Sequence, residues 1–274
     1  MSITKPAAGL AAILCSIGLM TAGAMGAQAA ELEYVDGLPT QIVNGDLEYK
    51  SNDINRMLMA PTGRFIDAAG LIVTKDILTW ESIPGFEQSD FGWKSDDSFL
   101  GHDSLVEIQR KGMDTGNLWI EIAAASQGKY IYQDVSTIPG AVYTWHLDHA
   151  SRKSSMDDSM QVLIGAPGHE TAQPAERTVS NGLGDQIGDV GDVITTHGTA
   201  ENDQWETYEG TYVVPEGQTI TRFTFRSVAD DDQQGAGFTA EGNCIDNIGF
   251  TISWPLAYDL QGGAGIIPNK EQQS

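Results

Sequence analysis

Short strand-like stretches recur between residues 105 and 252, and this pattern constrains the fold more than any other feature. Turn residues such as Pro139-Gly140 and Pro215-Glu216-Gly217 separate them. A period of two residues, rich in β-branched and aromatic side chains, is typical of strands with one buried face. The sequence therefore predicts an all-β fold, an antiparallel jelly-roll β-sandwich. The stretches are 105–110, 118–123, 130–135, 142–147, 160–164, 207–214, 220–225 and 245–252.

Two segments interrupt this pattern. Residues 50–100 are mixed, and within them Asp67 to Trp80 fits either a strand pair or a short helix. Residues 165–204 are rich in Gly, Asp and Thr. They are interpreted either as a long loop on the β scaffold or as a disordered segment.

Residues 1–30 have the features of a secretory signal peptide. Lys5 is their only charge, a weakly apolar stretch follows, and Ala27-Gln28-Ala29-Ala30 suits cleavage. The alternative is an uncleaved membrane anchor. Residues 31–254 would then be the folded domain, and no later segment is long and apolar enough to span a membrane. We expect an extracellular protein, either secreted or associated with the cell wall.

The chain is strongly acidic, with 15 Lys and Arg against 38 Asp and Glu and a formal net charge of −23. Such a surface repels nucleic acid and anionic lipid, so neither is expected as a partner. Cys244 is the only cysteine after the predicted signal peptide, which excludes an internal disulfide. We expect Cys244 to be a buried core residue.

Motifs at both ends of the predicted domain resemble a known family. Asn44-Gly45-Asp46-Leu47-Glu48 resembles the opening of jelly-roll carbohydrate-binding modules, which are galactose-binding-like domains. Ile245-Asp246-Asn247-Ile248 resembles their closing strand. The whole of 40–254 is similar to the N-terminal domain of large Gram-positive surface proteins. The intervening motifs are 83–86, 91–94, 106–109, 131–135, 139–145 and 204–212.

The C-terminal residues 255–274 carry a second resemblance. Residues 257–264, followed by Ile267-Pro268-Asn269-Lys270, are similar to the first strand and turn of an internalin-type B repeat, a small β-grasp unit. One partial copy cannot bury a core of its own. The alternative is a flexible Gly-rich tail.

These resemblances imply an extracellular, adhesin-like binding module of a cell surface, with carbohydrate as its ligand. The partner would be a glycan or another ligand on a host or neighbouring cell. The alternative is a protein-binding or structural head of a surface adhesin. We expect no enzyme, because the chain contains no G-x-S-x-G, H-E-x-x-H or phosphate-loop motif. A glycan-cleaving enzyme is the less favoured third class, since it needs only two carboxylates.

Trp93 and Trp205 are the predicted ligand-binding residues, because both stand beside polar turns rather than inside alternating strands. An exposed indole can stack on the apolar face of a sugar ring. The alternative for each is packing in the core or at a sheet edge. Trp145, within an alternating strand, is expected in the core.

Asp46, Glu48 and Asp246 are the predicted metal ligands. They are carboxylates at the two ends of the domain, which lie close together in a jelly roll, and their charges would repel unless a cation joined them. Ca²⁺ accepts such oxygen ligands. The family resemblance likewise implies a structural Ca²⁺ near the matching Glu and Asp. The alternative is that Glu48 faces solvent and Asp246 caps a turn.

The cluster His146, Asp148 and His149 invites a metal-site interpretation, but strand geometry opposes it. His146 and Asp148 share one face of a strand and His149 takes the other. We therefore expect no zinc site there.

Overall fold

The structure is a computed structural model, and the part of the chain that it describes falls into nine segments. These are 33–35, 38–57, 64–73, 80–99, 101–111, 117–122, 128–152, 157–228 and 242–253. The predictions of a signal peptide at 1–30 and of a repeat or tail at 255–274 lie outside these segments.

Strands make up most of the described chain. In order, they are β1 (Glu33–Val35), β2 (Leu38–Thr40), β3 (Arg64–Ile66), β4 (Leu71–Val73), β5 (Trp80–Ser82), β6 (Lys94–Ser95), β7 (Ser98–Phe99), β8 (His102–Asp103), β9 (Val106–Arg110), β10 (Leu118–Ile122), β11 (Tyr130–Ser136), β12 (Val142–Ser151), β13 (Asp158–Gly165), β14 (Thr171–Ala172), β15 (Ala175–Val179), β16 (Val190–Gly191), β17 (Ile194–Thr196), β18 (Glu206–Val213), β19 (Ile220–Val228) and β20 (Asn243–Ser253). The described helices are α1 (Ser51–Met57), α2 (Gln88–Phe91) and a 3-10 turn at Ala200–Asn202. Neither α-helix has the length and hydropathy needed to cross a bilayer.

Two antiparallel sheets form a jelly-roll β-sandwich, which confirms the predicted fold class. The larger sheet has the order β16-β15-β18-β12-β20-β10-β9-β3-β4-β5. The smaller sheet has the order β14-β13-β19-β11-β6, with β17 also paired to β13. The pairs β1–β2 and β7–β8 form two further, two-stranded sheets.

The predicted strand stretches all coincide with strands, and the open choice at Asp67 to Trp80 is resolved. There β4 pairs with β5 in antiparallel register, so the strand-pair alternative holds where the chain is described. The helices of this region, α1 and α2, lie outside that stretch.

The prediction of one long loop at 165–204 is wrong in detail. The segment contains β14 to β17, which add to the edges of both sheets. Its turns are rich in Gly and Asp, which hid these short strands in the sequence.

Aromatic side chains fill the space between the sheets. Trp145 on β12 approaches Phe223 on β19, with ring centroids 6.0 Å apart. Tyr143 stacks on Phe250 at 4.7 Å, which ties β12 to β20. Cys244 is fully buried, and burial raises the pKa of its thiol well above the ordinary value. The core placements predicted for Trp145 and Cys244 are confirmed.

The opening motif lies against the closing strand, as expected of a jelly roll. The Gln41 amide donates to the Phe250 carbonyl at 2.7 Å, and the Ile248 amide donates to the Gly45 carbonyl at 2.9 Å. A β-carbon on Gly45 would lie 2.1 Å from the Ile248 carbonyl oxygen, so this position requires glycine. The Asn-Gly-Asp motif therefore has a packing role.

Candidate ligand-binding face

The outer side of the smaller sheet carries two tyrosines from one strand. In β11, Ile131 and Val135 are buried, whereas Tyr130, Tyr132 and Asp134 are half-buried or exposed. This alternation follows from the two-residue period of a strand. The Tyr130 and Tyr132 rings lie side by side, with centroids 6.0 Å apart.

Neighbouring strands add charged and polar side chains to the same surface. In the register of the sheet, Arg226 on β19 stands opposite Tyr130 and Arg222 stands opposite Asp134. We call the whole set the tyrosine face. Its members are Lys94, Tyr130, Tyr132, Asp134, Gln161, Arg222 and Arg226.

Arg222 fixes the centre of the tyrosine face. Its guanidinium carbon lies 3.9 Å from the Tyr132 ring centroid. Its Nε and Nη2 donate to the two carboxylate oxygens of Asp134 at 2.6 and 2.8 Å, and Glu170 approaches Nε at 3.5 Å. The hydrogen bonds to Asp134 raise the pKa of Arg222. A bidentate pair stacked on a ring restricts all three side chains.

Arg226 has a different environment on the same strand. It is exposed, and its Nη2 donates to Oε1 of Gln161 at 2.6 Å. Lys94 is also exposed and stands opposite Tyr132 on the edge strand β6. The tyrosine face thus offers flat apolar rings bordered by cationic and amide groups.

The ligand-binding prediction for Trp93 is wrong. Its side chain is 1% exposed, its Nε1 donates to the Asn44 carbonyl at 2.9 Å, and its ring packs 5.9 Å from Phe225. Adjacent polar residues made Trp93 resemble a surface residue, but the chain turns its indole into the core.

Trp205 lies elsewhere on the molecule. It is half-buried, precedes β18 of the larger sheet and meets the edge of Trp119 at 5.8 Å. It is not part of the tyrosine face, so the two predicted tryptophans do not form one site. The prediction that Trp205 contacts ligand stays a prediction.

Two of the three predicted metal ligands meet near the start of β10. Oε1 of Glu48 accepts from the Leu118 amide at 2.9 Å, and Oδ2 of Asp246 accepts from Nδ2 of the adjacent Asn117 at 2.6 Å. The pKa of Asp246 is raised to about 7, chiefly by burial and also by the charges of Asp148 and Glu48, against hydrogen bonds from Asn117 and the Asn247 amide that lower it.

Asp46 does not join this pair. It is exposed, and its Oδ1 accepts from the Glu48 amide at 3.2 Å in a local turn. Within the described segments, no group of three or more His, Cys, Asp and Glu side chains is placed to hold a metal. Of the three predicted metal ligands, Glu48 and Asp246 lie together and Asp46 does not, and the prediction that this pair binds a metal stays a prediction.

The histidine and aspartate side chains of the cluster in β12 lie on both sides of the strand. His149 is fully buried, whereas His146 and Asp148 are only half-buried on the opposite side of the strand. The predicted separation of these side chains across the strand is confirmed.

A charged cluster joins the buried Arg177 and Glu206 to Asp185 and to the exposed Asp189. Arg177 on β15 donates to the Tyr208 hydroxyl at 2.7 and 3.0 Å and lies 3.4 Å from Glu206. Asp185 and Asp189 approach the same guanidinium at 3.5 and 3.2 Å. We call these residues the Arg177 cluster. Burial raises the pKa of Glu206, although the charge of Arg177 opposes the shift.

His149 borders the Arg177 cluster, with its ring centroid 6.1 Å from that of Tyr208. Its Nε2 donates to Oδ1 of Asn243 at 2.8 Å, and its buried Nδ1 has no hydrogen-bond partner among the described residues. The pKa of His149 is lowered to about 4, chiefly by burial and also by the charge of Arg177, although the hydrogen bond to Asn243 opposes the shift. His149 is therefore neutral near pH 7.

The tyrosine face was not found from the sequence. The alternation of β11 predicts a strand, but it does not by itself identify the two tyrosines as a site. That spacing, Tyr130 and Tyr132 two residues apart beside Asp134, was the available signal. Arg222 and Arg226 join them only through strand pairing.

No protein-family model matches the chain, and no curated protein matches it. Similar solved structures include jelly-roll carbohydrate-binding modules and the enzymatically active domain of a bacteriophage CBA120 tailspike protein, which aligns at 12% identity and a TM-score of 0.33, covering 78% of this chain and 21% of that one. A CBM4 structure aligns at 15% identity and a TM-score of 0.32, covering 54% of this chain and 78% of that one. The CBM22-2 xylan-binding domain of Paenibacillus barcinonensis Xyn10C aligns at 10% identity and a TM-score of 0.35, covering 59% of this chain and 92% of that one. The N-terminal cellulose-binding domain of Cellulomonas fimi β-1,4-glucanase C aligns at 15% identity and a TM-score of 0.33, covering 61% of this chain and 91% of that one.

At such identities and scores, the ligands of those modules carry no argument about this chain. The fold of this chain is established by its own strand topology.

Proposed function

We propose that this chain is a carbohydrate-binding module that holds a glycan on the tyrosine face. The observation that carries the proposal is the pair of adjacent rings, Tyr130 and Tyr132, on an open sheet surface. Arg222 and Asp134 hold the second ring in place.

The chemistry of a sugar suits such a surface. A pyranose ring has an apolar C–H face, which an aromatic ring desolvates, and a rim of hydroxyls, which needs polar partners. The tyrosine face provides both kinds of group on strands, which hold side chains more rigidly than loops do. Little ordering of the protein would then oppose binding.

We further propose that the module acts outside the cell, as an adhesin-like part of a Gram-positive surface protein. The signal-peptide features of residues 1–30 and the acidic composition support this setting. The repeat-like motifs of residues 257–270 also favour it.

A protein-binding or structural head is the second candidate. The observation in its favour is a group of aliphatic side chains in 179–193 that are between 44% and 68% exposed. Exposed apolar side chains grouped in one segment are a common feature of protein contacts. They are Val179, Leu183, Ile187, Val190 and Val193.

The structural calcium ion remains a proposal, now with Glu48 and Asp246 as the residues that would hold it. Their carboxylates lie against adjacent residues, and no basic side chain in the described segments forms an ion pair with either. The remaining ligands would be backbone or amide oxygens, which Ca²⁺ accepts. The ion would tie the opening motif to the closing strand.

A glycan array followed by titration calorimetry tests the main proposal. Wild-type protein should bind a defined set of polysaccharides, and Tyr132→Ala should weaken that binding at least tenfold. Tyr132→Phe keeps the ring and should retain most of the affinity. Both variants should melt within a few degrees of the wild type, because the side chain is on the surface.

Other results would favour the competing classes. Binding that survives Tyr130→Ala and Tyr132→Ala together would show that the tyrosine face is not the glycan site. Absence of glycan binding, with capture of a defined surface protein, would favour the protein-binding head. Turnover of a polysaccharide that is lost with a single Asp or Glu substitution would indicate an enzyme.

A further inference from the structure

Basic residues are scarce in this chain, and most of those that the structure describes are neutralised by carboxylates. The chain has 15 Lys and Arg against 38 Asp and Glu. A basic residue of so acidic a surface readily finds a carboxylate. Those that form ion pairs include Arg56, Lys111, Lys129, Arg152, Arg177 and Arg222.

The basic residues without an ion pair in the described segments include Lys50, which is half-buried and lies over the Tyr49 ring, and the exposed Arg226 and Lys94, which both belong to the tyrosine face. Within the described segments, no carboxylate lies at ion-pair distance from either side chain, and both are exposed. The contact of Arg226 is with the neutral amide of Gln161. Of the five N–H donors of a guanidinium, this bond uses one, so the group keeps its charge and further donors.

The register places each of these cations beside one tyrosine. Arg226 is directly opposite Tyr130 on one side of β11, and Lys94 is directly opposite Tyr132 on the other. Directly opposed residues in an antiparallel pair have β-carbons about 5 Å apart. A sugar stacked on either ring would therefore have an unpaired positive charge at its edge.

From this we infer that the ligand is an acidic glycan, whose uronate carboxylates are bound by Arg226 and Lys94 while its sugar rings stack on Tyr130 and Tyr132. The inference rests on the proposed function, because it takes the tyrosine face as the glycan site. A guanidinium binds a carboxylate through two parallel hydrogen bonds, and an ammonium binds it as a point charge.

The charge of the whole chain selects among anionic ligands. A densely charged polyanion, such as nucleic acid or a highly sulfated chain, would be repelled by a protein of net charge −23. A uronan carries at most one charge for each sugar. A short oligouronate on the tyrosine face interacts mainly with charges within about 8 Å at physiological ionic strength, whereas a long polyanion also extends over the acidic surface around it. The carboxylates of Asp134 and Glu170 at this face both lie against Arg222. This leaves Arg226 and Lys94 to interact with the uronates.

Oligosaccharides that differ only in charge test the inference. We would titrate the full chain with oligouronates of the galacturonate, mannuronate and glucuronate series, each beside its neutral methyl ester. Heparin serves as the sulfated probe, and unsubstituted xylan and cellulose oligomers serve as the neutral ones. For the oligouronate that binds, the acid form should bind at least tenfold tighter than its ester. That advantage should shrink as NaCl is raised from 50 to 500 mM.

Variants assign the charge effect to the tyrosine face. Arg226→Gln and Lys94→Gln should each reduce the advantage of the acid over the ester, and the double variant should bind both forms equally. Arg56→Gln makes the same charge change at an exposed ion pair with Asp53 and should leave both affinities unchanged. Tyr132→Ala should abolish binding of acid and ester alike.

The outcomes separate this inference from the proposed function. Equal binding of acid and ester, or preference for neutral xylan or cellulose, with sensitivity to Tyr132→Ala, would overturn the acidic ligand and leave the glycan site standing. Preference for heparin would likewise overturn the uronate assignment. Binding of no glycan in any form would contradict the proposed function and the inference together.

Discussion

Arg177 and Arg226 show how differently one residue type is used in two regions of this molecule. Arg177 is 6% exposed and is surrounded by a tyrosine hydroxyl, backbone carbonyls and three carboxylates. Arg226 stands on the open surface of the smaller sheet with one amide partner. Around Arg177 the protein itself provides the counter-charges, whereas no carboxylate among the described residues lies at ion-pair distance from Arg226.

The difference separates stabilising from ligand-binding roles. A buried charge has to be compensated by hydrogen bonds and opposite charges, otherwise the fold is strongly destabilised. An exposed charge is hydrated, so it contributes little to folding and stays available. We therefore expect the Arg177 cluster to govern stability and Arg226 to govern ligand affinity.

The largest expected effect comes from substituting the two arginines in parallel. Arg177→Met should destabilise the fold by about 3 to 5 kcal/mol, because it leaves the fully buried Glu206 without its cation. Arg226→Met should change stability by no more than about 0.5 kcal/mol. Chemical denaturation of both variants measures the difference. Equal losses of stability would break the comparison, as would an Arg177→Met protein as stable as the wild type.

The second expected effect concerns pH and the histidine that borders the Arg177 cluster. The pKa of His149 is lowered from 6.5 to about 4 in the folded state. Above pH 6.5 the ring is neutral in both the folded and the unfolded chain, so protonation has no effect on stability. Between pH 6.5 and 4 the unfolded chain binds a proton that the folded chain does not. Stability should therefore fall by about 3 kcal/mol across this window.

His149→Gln isolates this contribution. Burial raises the pKa of Glu121 to about 7, so this residue stabilises the fold as the pH falls, opposite to His149. The pH dependence of wild-type stability alone is therefore the sum of such opposing effects. Glu121 is present in both proteins and cancels in the difference between them. Denaturation at pH 7 and pH 4.5 should show His149→Gln gaining on the wild type as the pH falls. A constant difference across this range would show that His149 titrates normally.

The sequence predicted the fold but not the tyrosine face, for a physical reason. Alternation in a strand shows which residues share a face, and this predicted β11 and the other long strands. It does not show which face is buried. Nor does it bring Arg226 beside Tyr130, because that contact depends on the pairing of strands far apart in the chain.

The metal and tryptophan predictions show the same limit. Glu48 and Asp246 meet because the two ends of the domain pair, which the resemblance implied. Asp46, two residues from Glu48, points to solvent at a turn where Leu47 has a positive φ of 59°. Trp93 has polar neighbours but enters the core. Polar neighbours in the sequence show that a segment lies near the surface. The direction of one side chain within it depends on the backbone conformation of the local turn.

The smallest expected effect extends the comparison to a buried carboxylate that has no internal cation. Glu206 has Arg177, whereas Asp246 is 1% exposed with only amide donors in the described segments, beside the charge of Glu48. A Ca²⁺ ion held by Glu48 and Asp246 would provide the positive charge that Arg177 provides for Glu206. Binding only to the folded state, at a concentration a hundredfold above its Kd, it would add about 2.7 kcal/mol of stability.

Melting temperature should therefore rise with added Ca²⁺ and fall with a chelator, and Glu48→Gln should remove most of this response. Asp46→Asn makes the same charge change at the neighbouring exposed residue and should keep it. A melting temperature indifferent to Ca²⁺ and chelator, with no metal found by elemental analysis, would show that the fold tolerates the two carboxylates without a cation.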